Sequence, residues 1–316
     1  MIEYLLLILG LGLLYKGADY LVEGSASLAK KFGISPLVIG LTIVAFGTSA
    51  PELVVNIYAS LEGNSEVVFG NIIGSNIVNI LLILGLSGML VALKVQNSTV
   101  WKEIPFALLA ALVIFVMSNK VLLGESANVI TAGDGLLLLS FFIIFLYYIT
   151  GLMKQKPQDI GEVKTTGSKA MYIMIAGGLI ALYFGGRLTV DSAVGIARQF
   201  NISELLISST IVAIGTSLPE LLTSIVAAAK KEMDLSVGNI IGSNIFNIFL
   251  IMGISSLISP IAVPASINFD FFALIAASLL LFLFMFIGRK HQLDEWQAIS
   301  FVVLYASYIA YIIYRG

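Results

Sequence analysis

The chain alternates long apolar runs with short polar or Gly/Pro-bearing breaks along all of its 316 residues. A helix needs roughly 20 apolar residues to cross the hydrocarbon of a bilayer. Ten runs of that order can be placed, near 2–27, 36–61, 66–93, 103–119, 128–153, 170–195, 204–229, 235–259, 268–288 and 296–314. Barrel strands would be half as long and would alternate in polarity, so the pattern predicts an all-α integral membrane protein with ten transmembrane helices. The polar stretch Lys154 to Lys169 predicts two units, 1–153 and 170–316, joined by a linker too short for a regulatory domain.

Composition agrees: 59% of residues are hydrophobic and 11% charged, and the mean hydropathy is +1.01, which excludes a water-soluble globule. The expected environment is a lipid bilayer, with no nucleic-acid partner. With no cysteine, disulfides and thiolate metal sites are excluded. Met1-Ile2-Glu3 lacks a basic n-region and cleavage site, so the first run reads as a span and not a removable signal. With the N-terminus outside, the inner loops collect Lys30, Lys31, Lys94, Lys102, Lys154, Lys156, Lys164, Lys169, Lys230, Lys231, Arg289 and Lys290, while Lys120, Arg198 and Arg315 lie outside. This positive-inside bias predicts a multi-pass cell-membrane protein with both termini outside. Trp101 and Trp296 fall at span edges as interfacial anchors, and His291 in the loop "GRKHQ" is expected in solvent.

Two segments repeat. "TIVAFGTSAPEL" (Thr42 to Leu53) returns as "TIVAIGTSLPEL" (Thr210 to Leu221), and "GNIIGSNIVNI" (Gly70 to Ile80) as "GNIIGSNIFNI" (Gly238 to Ile248), both offset by 168 residues. The offset extends weakly through Gly17/Gly185, Glu23/Asp191 and Ile34-Ser35/Ile202-Ser203. Five spans per copy is an odd number, so the second copy enters the membrane upside down. Loop charge follows: Lys30-Lys31 aligns with Arg198-Gln199, and Glu62-Gly63 with Lys230-Lys231. Inverted repeats with broken helices and a midplane ion site are a recurrent transporter design.

The repeated residues suit a hard cation. Pro51 and Pro219 lack an N–H and free the carbonyls of Gly47 and Gly215; Glu52 and Glu220 follow in the first turn of the next helix, where the dipole favours negative charge. Asn71, Ser75 and Asn79 form an i, i+4, i+8 stripe, matched by Asn239, Ser243 and Asn247. Gly70 and Gly74, like Gly238 and Gly242, are a small-xxx-small spacing for close helix packing. Ser49 and Ser217 either cap or ligate, and Asn76 and Asn244 either cross-link helices or face the site. Two carboxylates with hydroxyl, amide and carbonyl oxygens favour Ca²⁺ and Na⁺ over Mg²⁺ or a transition metal. Lys16, Asp19 and Glu23, and likewise Arg187 and Asp191, read as local helical ion pairs.

"GTSAPEL…GNIIGSNIVN" and "GTSLPEL…GNIIGSNIFN" resemble the α-1 and α-2 repeats of the cation/calcium antiporter superfamily, in its sodium/calcium exchanger branch, and the ten-span layout extends the likeness over the whole chain. The resemblance implies a transporter, not an enzyme, that exchanges Na⁺ for Ca²⁺ without a cofactor, as a monomer, with helices 2, 3, 7 and 8 interrupted around the site. It implies Ca²⁺ ligands at Glu52, Glu220 and the carbonyls of Thr48 and Thr216. It places Na⁺ at Ala45, Thr48, Ser75 and Glu220, and at Ala213, Thr216, Ser243 and Glu52. Asn79 and Asn247 would line the middle, and Ser49 and Ser217 would support it. Asn247 stands where the potassium-dependent branch carries Asp, which argues against K⁺ co-transport. Two rivals remain open: a Ca²⁺/H⁺ antiporter using the same glutamates, although that branch shows G-N-A-x-E where this chain has "GTSAPE", and a cation channel, against which the inverted repeat argues.

Overall fold

The computed structural model describes residues 2–154, 167–200 and 213–315. Most of the expected linker 154–169 and the first part of the seventh expected span, including Ile202, Ser203 and Thr210, lie outside the described residues. The helices are α1 (Ile2–Phe32), α2 (Pro36–Thr48), α3 (Ala50–Leu61), α4 (Ser65–Leu90), α5 (Thr99–Ser118), α6 (Ala132–Met153), α7 (Ser168–Gln199), α8 (Leu218–Ala229), α9 (Met233–Ile258), α10 (Ala265–Phe284) and α11 (Glu295–Arg315). Among the described residues eight helices are long and apolar enough to cross a membrane, and α2 with α3, bent by 46°, makes a ninth such segment. The outward faces of α1, α6 and α11 carry exposed Leu5, Ile8, Ile143, Tyr147 and Val303, the dress of helices in lipid. The protein is an all-helical membrane protein.

Local chemistry sets the boundaries. Ser35 caps α2, its hydroxyl accepting from Leu37 N at 3.3 Å, with Pro36 in the first turn, where a missing N–H costs nothing. Thr131 and Asp134 form a reciprocal capping box that starts α6. At the ends of α3 and α8 the chain turns through matched left-handed residues, Gly63 (φ 69°) and Lys231 (φ 64°). Gly63 N bonds Ser60 O and Asn64 N bonds Ala59 O; Lys231 N bonds Ala228 O and Glu232 N bonds Ala227 O. Both hairpins therefore close with the same Schellman geometry, although glycine fills the turn in one and lysine in the other.

The spans expected to be interrupted differ from one another. The second breaks at Ser49, whose ψ of 6° leaves the helix, two residues after Gly47, whose carbonyl Pro51 deprives of a partner. The third and eighth, α4 and α9, run on without a break and instead slip into wider π-helical turns at Val78–Ile83 and Phe246–Met252, twin positions in the repeat. Such turns hold a surplus residue in the ladder and concentrate at functional sites. α4 and α9 are also the most deeply buried of the spanning helices.

α1 and α7 pack antiparallel through glycine. A Cβ at Gly10 would meet Gly185 O at 3.1 Å, one at Gly17 would meet Gly178 O at 2.9 Å, and one at Gly24 would meet Met171 O at 3.1 Å. As the residue number rises along α1 it falls along α7, so these twin helices run in opposite directions. Two antiparallel two-residue ladders depart from the all-α expectation: β1 (Leu93–Lys94) with β4 (Gln292–Leu293), and β2 (Val129–Ile130) with β3 (Ile261–Ala262). Each clasps a loop of one half to a loop of the other. Trp101 and Trp296 are about half exposed, against Phe286 and Phe284. His291 corrects its expectation: it is half-buried beside Phe286 in a left-handed conformation, because the turn into β4 folds its ring inward.

Gly17→Val forces a side chain against the backbone of α7 and is expected to destabilise by about 1–3 kcal/mol, whereas Gly12→Ala, which meets nothing within 4 Å, should stay within about 0.5 kcal/mol of wild type. Thermal unfolding of the two variants in detergent makes the comparison.

Candidate cation site

The break at Ser49 and its counterpart at Ser217, whose ψ is also 6°, place Glu52 and Glu220 in the first turns of α3 and α8. Both carboxylates are buried, each 1% exposed, and each lies within the electrostatic reach of the other. A short helical turn, Ala213–Gly215, precedes the second break. Past each break the ladder resumes with Leu53 N to Ser49 O at 3.1 Å and Leu221 N to Ser217 O at 2.9 Å.

Hydrogen bonds cross between the halves in exchanged pairs. Ser49 Oγ donates to Glu220 Oε1 at 3.1 Å, and Ser217 Oγ to Glu52 Oε1 at 3.4 Å. Thr48 Oγ1 donates to Asn239 Oδ1 at 3.0 Å, and Thr216 Oγ1 to Asn71 Oδ1 at 3.2 Å. Asn79 Nδ2 donates to Asn244 Oδ1 at 2.9 Å, and Asn247 Nδ2 to Asn76 Oδ1 at 3.1 Å. A contact made twice with its partners exchanged is the signature of a two-fold relation. It lies where the two pairs of broken and π-turned helices meet.

What is left unbonded defines the chemistry. Among the described residues no hydrogen-bond partner is found for Glu52 Oε2 and Glu220 Oε2, Ser75 Oγ and Ser243 Oγ, or Asn79 Oδ1 and Asn247 Oδ1. All six are buried oxygens at twin positions. A fourth twin pair, Ser87 and Ser255, lies farther along α4 and α9. Leaving a buried acceptor unpaired costs about 1–3 kcal/mol, more when it is charged. The amide oxygens are free because their own NH₂ groups are spent on Asn244 and Asn76, which fixes the way both side chains face. Acceptors without donors fit a cation, and oxygen donors alone fit a hard one. No group of three or more His, Cys, Asp or Glu side chains gathers among the described residues, so two carboxylates and neutral oxygens are what this centre offers.

Most of the expected residues thus converge. Glu52, Glu220, Ser75, Ser243, Asn79 and Asn247 present free oxygens, while Ser49 and Ser217 hold the opposite glutamate. Ala45 is buried against α9, where a Cβ on Gly242 would come within 2.7 Å of it; Thr48 is buried and Thr216 half-buried. The side chain of Ala213 lies outside the described residues. The stripe expected of Asn71, Ser75 and Asn79 divides: Asn71 and Asn239 are fully bonded, each also donating to the main-chain carbonyl of its glutamate, Glu52 O at 3.3 Å and Glu220 O at 3.5 Å. They tie the helix that follows one break to the threonine that precedes the other. Asn76 and Asn244, one position off the stripe, are helix cross-links. Their role was legible only as an amide beside a stripe, since a cross-helix bond between twins has no sequence period.

The sodium/calcium exchanger protein family matches residues 2–151 and 170–314. The chain belongs to the sodium/calcium exchanger family. This is a family of transporters. Sodium/calcium exchanger MaX1 of Methanosarcina acetivorans is 32% identical, with 99% of each chain covered. Inner membrane protein YrbG of Escherichia coli is 37% identical over 87% of this chain and 86% of its own. The structure of the sodium-calcium exchanger NCX_Mj soaked with 2.5 mM Na⁺ and 0.1 mM Ca²⁺ superposes with a TM-score of 0.84, at 34% identity and 98% coverage of both chains.

Asn239→Ala removes the acceptor of Thr48 and the donor to Ser224 Oγ, 3.0 Å away, in a wholly buried position. It is expected to cost about 1–3 kcal/mol, read as a lowered melting temperature; Asn71→Ala, at a half-exposed position, should cost less.

Proposed function

We propose that the protein is a secondary antiporter that exchanges Na⁺ for Ca²⁺ by alternating access. The observation that carries this reading is the set of six buried, donorless oxygens in three twin pairs, two of them carboxylate, at the junction of the repeats. Glu52 and Glu220, with the carbonyls of Thr48 and Thr216, would hold Ca²⁺. Ser75 with Ala45, Thr48 and Glu220, and Ser243 with Ala213, Thr216 and Glu52, would take Na⁺ on either side. Asn79 and Asn247 line the middle, and Ser49 and Ser217 orient the glutamates. Because both ions need the same two carboxylates, loading one displaces the other, which couples their fluxes. The likeness to NCX_Mj, soaked with Na⁺ and Ca²⁺, supports the choice of ions.

The architecture proposed with it is ten spans in two inverted five-helix units, 1–153 and 170–316, with both termini outside and the protein a monomer. α8 and the described residues before it form the end of the seventh span. The antiparallel run of α1 against its twin α7 supports the inversion.

Radiocalcium uptake into sealed vesicles tests the reading. Uptake should follow an outward Na⁺ gradient and ignore an imposed pH gradient; dependence on the pH gradient alone would establish the proton-coupled alternative, and uptake with no counter-gradient a channel. Glu52→Gln and Glu220→Gln should each abolish exchange while the melting temperature is maintained or raised, since each removes a buried charge. Normal transport by either variant refutes the site.

A further inference from the structure

The two-fold relation fails at the charged ends of the hairpins. Lys230, at the α8–α9 hairpin, reaches back to α1, with its Nζ 2.5 Å from Asp19 Oδ1, 3.7 Å from Glu23 Oε2 and 3.4 Å from the main-chain oxygen of Asp19. The repeat offset of 168 carries this contact onto Glu62, Arg187 and Asp191. Two of the three charges are reversed there, Glu62 standing for Lys230 and Arg187 for Asp19, while Asp191 keeps the acid of Glu23. The reversed pair is itself complementary, an acid on the α3–α4 hairpin and a base on α7, with Asp191 a competitor for the same arginine.

That second contact is not made. Glu62 forms no ion pair among the described residues, and Arg187, its side chain 70% exposed, reaches only Asp191 on its own helix, at 3.7 Å. Both hairpins close with the same Schellman geometry, so the position offering the side chain is built alike at each. The asymmetry lies in how the α1–α7 pair sits between them. Paired through backbone at Gly10, Gly17 and Gly24, the two helices form one body that carries Asp19 towards one hairpin and Arg187 towards the other.

We propose that Lys230–Asp19 and Glu62–Arg187 are alternative latches at opposite faces of the membrane, one made only when the other is broken, and that each locks the α1–α7 pair at one end of its travel. In the proposed orientation the made latch is the inner one, so the site's closed side is cytoplasmic. An ion pair of this exposure is worth little, which suits a catch that must open in every cycle. The inference rests on alternating access but not on which ions are carried.

The cysteine-free chain allows a direct test with a short, cleavable bifunctional thiol reagent on protein in lipid vesicles. Asp19→Cys with Lys230→Cys, and Glu62→Cys with Arg187→Cys, should each link, and either link should arrest transport until cleaved. A chain with all four cysteines should carry one link or the other, never both. Failure of the Glu62/Arg187 pair to link under any ionic condition, or both links in one molecule, overturns the proposal. In the Glu62→Cys/Arg187→Cys background, Lys230→Gln should speed linking by about two- to fivefold, the worth of one part-exposed ion pair, while Lys230→Arg should leave the rate unchanged; an unchanged rate with Gln also overturns it. Exclusive links in a protein whose Ca²⁺ uptake follows only protons would sink the Na⁺ assignment and spare the latch. Na⁺-driven uptake with both links formed together would do the reverse.

Discussion

Two carboxylates enclosed in protein, each with one oxygen lacking a donor among the described residues, form the constraint that the rest of the molecule serves. An isolated buried charge neutralises or finds a counter-charge, and among the described residues no lysine, arginine or histidine is bonded to either glutamate. The surroundings supply only partial help: one serine hydroxyl from the opposite repeat for each carboxylate, and the first turn of a helix beneath it. The broken second span, the amide cross-links and the π-turns of α4 and α9 all act to keep further acceptors turned inward. Under the proposed function that arrangement raises the energy of the empty centre and so favours the entering cation. It also makes the two halves mutually dependent, since each glutamate is oriented by a serine of the other half.

Much of this could be read from the chain. Span lengths were set by hydrocarbon thickness, and nearly all the helices begin and end within a few residues of the apolar runs. The duplication of "GTSAPE" and "GTSLPE" singles out Glu52 and Glu220 on sequence alone. What escaped was non-periodic. Whether Asn71 or Asn76 would be bonded or free depends on which neighbour lies across the interface, and nothing in a helical repeat distinguishes them. The ladders joining Leu93–Lys94 to Gln292–Leu293 and Val129–Ile130 to Ile261–Ala262 are two residues long, below any alternation signal. Lys230 and Asp19 are so far apart in sequence that local spacing supplied Lys16 as the partner of Asp19, and indeed Lys16 is present, at 3.9 Å, as the weaker of two.

The hairpin charges illustrate one residue answering two demands. In the proposed orientation basic side chains sit at the cytoplasmic ends of both units, so a duplicated, inverted segment would not keep the same charges in the same loops, which accounts for the difference between Glu62 and Lys230. Asp19 and Arg187 differ in the same sense, so each hairpin charge has an opposite charge at the twin position of the helix pair, while the acid at Glu23 and Asp191 is kept.

The glycine seam between α1 and α7 has a mechanical consequence. Interlocked side chains give helix pairs ridges and grooves, and displacement along the axis then means lifting one row over the next. At Gly10, Gly17 and Gly24 backbone meets backbone, and it is this close main-chain contact, not interlocked side chains, that holds the two helices as one body. They resemble two rails bolted together. A large excursion of either would take its twin along, so that under the proposed alternating access a displacement at one surface of the bilayer is carried through to the other.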